Sequence, residues 1–126
     1  MIHCVLDSSA VLAFLLREPG CQIVGGILDE AAISAVNVAE VVAKLRERGV
    51  ERRIREAIRG LSLAIIDFNE ELAYRAGEMR GATRHAGLSL GDRACLATAQ
   101  SLGVRAVTAD RKWSRLKLDV RINLIR

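Results

Sequence analysis

Four carboxylates stand where apolar runs give way to polar chain. Asp7 follows residues 2–6, Glu40 and Asp92 lie near the starts of amphipathic stretches, and Asp110 follows residues 104–108. Singly, each has an ordinary structural explanation. Asn37 with Glu40, and Ser89 with Asp92, have the cap-x-x-acid spacing of a helix N-terminus, and Asp7 and Asp110 suit helix caps or turns. As a set they suggest other chemistry. Carboxylates a few Å apart repel by about 4 kcal/mol per close pair at an effective dielectric near 20, so a cluster of four must bind cations or hold a proton. Oxygen-only ligands suit Mg²⁺ or Mn²⁺ and do not suit a structural zinc site. One or two such ions can polarise a phosphodiester, lower the pKa of an attacking water and steady the leaving oxygen. His3 and His85 have no recognisable catalytic partner and read as structural, so general-base work by histidine is not expected.

The elements that would bring these acids together alternate along the chain. Residues 2–6, 31–35, 63–66, 104–108 and 120–124 read as strands. A helix after Asp7, capped by Ser8 or Ser9, fills residues 10–16 and stops at Pro19-Gly20, and a short helix covers residues 21–28. Val38, Val41, Val42 and Leu45 keep helical spacing up to Gly49, and a charged helix spans residues 50–59. Asn69 caps a long helix with Leu72, Ala76, Met79 and Thr83 on one face, running to Gly87 and weakened by Gly77 and Gly81. Ser89 caps the next, which Gly103 ends. Strands alternating with helices imply one α/β domain over residues 1–126 with a mainly parallel five-stranded sheet flanked by helices. Ligands in such sheets sit beyond the carboxyl ends of the strands, where the four acids fall.

The 126 residues are 51% hydrophobic and 27% charged with a single proline, which excludes a disordered or collagen-like chain. The apolar runs are far shorter than the ~20 residues of a membrane span. The start MIHCVLDSS lacks a basic leader, so a cytoplasmic protein without membrane association is expected. Cys4, Cys21 and Cys95 are odd in number and without CxxC spacing, and read as buried thiols in a reducing compartment.

The segments VLDSSAVLAFL, ISAVNVAEVVAKL, LSLGDRACLATAQSLG and AVTADRKW resemble the four motifs of PIN-domain ribonucleases, in the VapC-type branch of bacterial and archaeal toxin-antitoxin pairs. The likeness runs from Val5 to Trp113. It implies that Asp7, Glu40, Asp92 and Asp110 are the catalytic, metal-binding acids. Ser8 matches the small hydroxyl residue after the first acid, Thr108 the hydroxyl two residues before the last, and Asn37 a variant where the family often has Ser or Thr. It further implies a sheet order of 3-2-1-4-5, Mg²⁺- or Mn²⁺-dependent hydrolysis of an RNA substrate, a homodimer, and a cognate antitoxin protein that covers the active site. An RNA-processing nuclease of the same family, without a toxin role, is the alternative.

The charge balance suits a polyanionic substrate. The net charge is +4, and apart from the four site acids eleven acidic residues face 19 basic ones, of which 16 are Arg. The densest basic stretch, residues 44–59, contains Arg52, Arg53 and Arg55, which read either as an RNA or antitoxin contact or as a solvated helix face. Aromatic residues for base stacking are few. Phe14 and Phe68 read as core, and Trp113, beside Asp110, is the stacking candidate against a packing role. A receiver-like signalling module would need a phosphoacceptor such as Asp67 and a Lys close behind the fourth strand, where only Lys112 follows. A non-catalytic RNA- or protein-binding module would not require four acids.

Overall fold

Five short strands pair in the order β3-β2-β1-β4-β5, all parallel, in a computed structural model that describes residues 1–126. They are β1 (Cys4–Leu6), β2 (Ala31–Ser34), β3 (Ala64–Ile66), β4 (Arg105–Thr108) and β5 (Ile122–Leu124). This is the expected α/β class and strand order. β1 is apolar throughout and β2 and β4 are apolar except at their ends, where Ser34, Arg105 and Thr108 fall, because the sheet is covered on both faces. Alternation then divides their side chains: Cys4, Leu6, Ala31, Ile33 and Val107 enter one core layer, while Val5, Ala32 and Ala106 enter the other.

Helices α1 (Ser8–Leu15), α2 (Cys21–Gly25), α3 (Ala35–Glu47) and α4 (Ile54–Arg59) supply the first layer through Val11, Val24, Val41, Leu45 and Ile58. Helices α5 (Glu70–Glu78), α6 (Arg80–Thr83) and α7 (Leu90–Leu102) lie towards the second, with Leu72, Ala76, Leu96 and Ala99 in its core. Buried Arg93 ties α7 to α5 by donating from Nη1 to the Ala76 carbonyl at 2.9 Å. That carbonyl lies in the last turn of α5, where a cation is favoured.

Several boundaries differ from the sequence expectation. Residues 69–87 do not form one helix: α5 ends at Glu78, α6 follows, and a 3-10 turn (Arg84–Ala86) completes the segment. Gly77 and Gly81 weaken helical continuity, and the Thr83 hydroxyl bonds back to the Met79 carbonyl at 2.8 Å. Helix α4 begins only at Ile54, because Arg53 takes the left-handed conformation at φ 59°. Helix α3 begins at Ala35, capped by Ser34, so Asn37 is no cap and Glu40 lies in the second turn. Cys4 and Cys95 are buried as expected, whereas Cys21 is only partly buried. No helix is long and apolar enough to cross a membrane.

Candidate active site

Register sets the first contacts of the site. Leu6 pairs with Ile33 on one side and Val107 on the other, so the next residue along each strand, Asp7, Ser34 and Thr108, falls at the same level on the carboxyl edge. Asp7 is 2% exposed. It caps α1, its Oδ1 accepting from the Ala10 amide at 2.9 Å. The Thr108 hydroxyl donates to Oδ2 at 2.5 Å, and the Ser9 hydroxyl lies 2.7 Å from Oδ1 and 2.9 Å from Oδ2. Ser9 in turn accepts from the Ala109 amide at 2.9 Å, which pins β4 to the start of α1.

The hydroxyl beside the first acid therefore belongs to Ser9. Ser8, the residue singled out by its position in the motif, is the first residue of α1, and the cap is Asp7 rather than either serine. Thr108 links two acids: Oγ1 donates to Asp7 and accepts from the Asp110 amide at 3.0 Å. Asp110 caps the following 3-10 turn through Lys112 N at 2.9 Å, with Lys112 Nζ at 3.9 Å.

Glu40 and Asp92 approach from α3 and α7. Ser89 and Asp92 form a capping box with both reciprocal bonds present, Ser89 N to Asp92 Oδ2 at 2.9 Å and Asp92 N to Ser89 Oγ at 3.2 Å. Asn37, 1% exposed, donates from Nδ2 to Glu40 Oε1 at 2.7 Å and to the Gly91 carbonyl at 3.1 Å. Both its acceptors oppose that amide nitrogen, which sets the orientation of the side chain.

Charge couples Asp7 to Asp92. Burial pushes the Asp7 carboxyl up to about 6, and the negative charge of Asp92 adds to the rise, against the hydrogen bonds from Thr108, Ala10 and Ser9. The Cys95 thiol is pushed well up by complete burial, and further by Asp7, Asp92 and Glu40. Of the four acids only Asp110 has a cation within 4 Å. No three His, Cys, Asp or Glu side chains are arranged to hold a metal ion in this structure. In kind, an all-oxygen donor set whose buried member, Asp7, has no cation beside it fits a hard divalent cation.

Other candidates lie elsewhere. Trp113 is completely buried in the second core layer, which rules out the stacking role raised for it. Arg52, Arg53 and Arg55 are exposed and make no ion pair. His85 is exposed, and His3 stands 3.9 Å from Glu30 at the opposite end of the sheet. Sequence reasoning missed Ser9 and Gly91. Ser9 lay in the quoted motif, one residue past the position chosen, and Gly91 directly preceded Asp92.

The PIN domain family model matches residues 4–118. The chain belongs to the PIN domain family. No curated protein sequence matches it. Among solved structures, the DNA-bound VapBC of Salmonella typhimurium is similar over the full length of both chains, with TM-score 0.78 and 19% identity. A toxin-antitoxin complex from Klebsiella pneumoniae is similar over 98% of both chains, with TM-score 0.74 and 20% identity. The sarcin-ricin loop cleaving toxin VapC20 of Mycobacterium tuberculosis is similar over 94% of this chain and 98% of its own, with TM-score 0.72 and 16% identity. At these identities the likeness is one of fold, and in this PIN domain Asp7, Glu40, Asp92 and Asp110 lie at the carboxyl edge of the sheet or in the helices packed against it.

Proposed function

We propose that this PIN domain is a divalent-metal-dependent endoribonuclease, the toxin of a VapBC-type toxin-antitoxin pair, with Asp7, Glu40, Asp92 and Asp110 as its catalytic acids. The observation that carries the reading is the Asp7 carboxylate, buried beside Asp92 with three donors and no cation. A fold bears such a charge at a cost unless a ligand compensates it. Mg²⁺ or Mn²⁺ held by these acids would supply an activated water and a polarised phosphodiester. The protein's own part is to position the donors: Thr108, Ser9 and the Ala10 amide hold both Asp7 oxygens, Asn37 holds Glu40, and the capping box holds Asp92.

The basic excess outside the site would draw a phosphate backbone towards these acids. Arg52, Arg53 and Arg55, exposed and unpaired, are proposed to meet RNA or the antitoxin. The toxin-antitoxin complexes among the structural neighbours support an antitoxin partner, and a homodimer belongs to the same reading. The purified protein should cut structured RNA with Mg²⁺ and not with chelator. A cleavage pattern indifferent to chelator would refute metal dependence, and loss of activity in His3→Ala or His85→Ala proteins that still fold would refute the acid-only site.

A further inference from the structure

Gly91 occupies the first turn of α7 in a conformation open to any residue, and glycine is among the poorest helix formers. No feature of its backbone calls for glycine. Its surroundings do: a Cβ built there would overlap Oε2 and Cδ of Glu40 and lie 2.5 Å from Oε1. The Glu40 carboxylate, reaching across from α3, rests on the Gly91 Cα. The same glycine offers its carbonyl to Asn37 Nδ2 at 3.1 Å, and that nitrogen donates to Glu40 Oε1 at 2.7 Å. Glu40 is thus held from one side by an amide and given room on the other by a missing side chain, one residue from Asp92.

We propose that Gly91 is a positioning residue for Glu40: the absence of a side chain at this position sets where the Glu40 carboxylate lies relative to Asp92. The inference rests on the reading of the four acids as a metal-dependent nuclease site. Its energetic signature is unusual. The atoms a methyl group would displace are the far end of a flexible side chain, so the fold yields at little cost, while the displaced group is one of the acids of the site. A residue kept only for the fold would behave in the opposite way.

The test is Gly91→Ala, followed by thermal melts in chelator and in excess Mn²⁺ and by RNA cleavage. In chelator the variant should melt at the parental temperature or above it. In Mn²⁺ its stabilisation should shrink, and cleavage should fall about 10–100-fold, as for loss of a group that orients a metal ligand. The same substitution made in a Glu40→Asp background, whose carboxylate is withdrawn by one methylene, should leave the Mn²⁺-induced shift of that background unchanged. An equal loss in both backgrounds would show that the effect does not run through Glu40 and would overturn the proposal. So would a Gly91→Ala protein that melts lower in chelator, or one that matches the parent in both Mn²⁺ response and cleavage. A parent that neither cuts RNA nor responds to Mn²⁺ would instead overturn the functional reading, and this proposal with it.

Discussion

The two ends of the sheet carry the same kinds of charged side chain and treat them oppositely. At the amino end, Glu30 lies 3.6 Å from Arg105 and 3.9 Å from His3, each at least 30% exposed, and Arg105 also donates to Asn123 Oδ1 at 3.3 Å. These residues line an open cleft of about 510 Å³. At the carboxyl end Asp7 is buried, bonded only to hydroxyls and an amide, and pushed up to about 6. A screened, paired carboxylate costs the fold little and contributes little. A buried one without a cation is a liability that the fold carries at one end only, and the size of the cleft at the other end does not make it a reactive site.

The contrast is most sharply tested by Asp7→Asn, which removes the charge and keeps the shape. Cleavage should be abolished, the metal-free protein should melt at or above the parental temperature, and stabilisation by Mg²⁺ should shrink. Equal destabilisation with chelator and with Mg²⁺, together with retained cleavage, would reduce Asp7 to a helix cap.

The next effect concerns pH. Native Asp7 holds its proton up to about pH 6, while the unfolded chain releases it near 3.8. Between those values the native state binds more protons, so the stability of the metal-free protein falls as pH rises through the window, by about 3 kcal/mol in all. Urea unfolding of parent and Asp7→Asn between pH 4 and 7 measures it. The parent should decline relative to the variant, and parallel profiles would end the claim that burial governs this group.

Thr108→Val acts on the same carboxylate from its neighbouring strand. It removes the hydrogen bond that favours the charged form, so the inflection of that stability profile should move to higher pH. It also leaves the Asp110 amide without its acceptor, at a cost of about 1–3 kcal/mol. An inflection that stays in place would show that the 2.5 Å contact is not what limits the rise.

The smallest effect belongs to the amino end. Glu30→Gln should change stability by less than about 1 kcal/mol, with the difference fading in high salt and cleavage unchanged. A loss of cleavage there would mean that the two ends are coupled.

The amino-acid sequence by itself determined the α/β class and the places where its acids fall, because those signals are local: apolar runs ended by polar residues, and a cap three residues from its acid. The Ser89–Asp92 capping box is such a case, with both of its bonds formed within one turn. The resemblance of the motifs added the strand order, which the β3-β2-β1-β4-β5 sheet bears out. What only the tertiary structure decided are the contacts between segments far apart in the chain. Ser9 rather than Ser8 faces Asp7 where Thr108 and Ala109, about a hundred residues on, meet its hydroxyl at the end of β4. Trp113 is core because the 3-10 turn that follows Asp110 carries it into the second layer of buried side chains, although Asp110 itself is partly exposed. Gly91 reads in sequence as a weak helix residue, and its use emerges only when α3 lays the Glu40 carboxylate on it from 51 positions away. Register and layer packing bring these atoms together, and neither periodicity nor spacing along a single chain encodes which side chain will arrive opposite which.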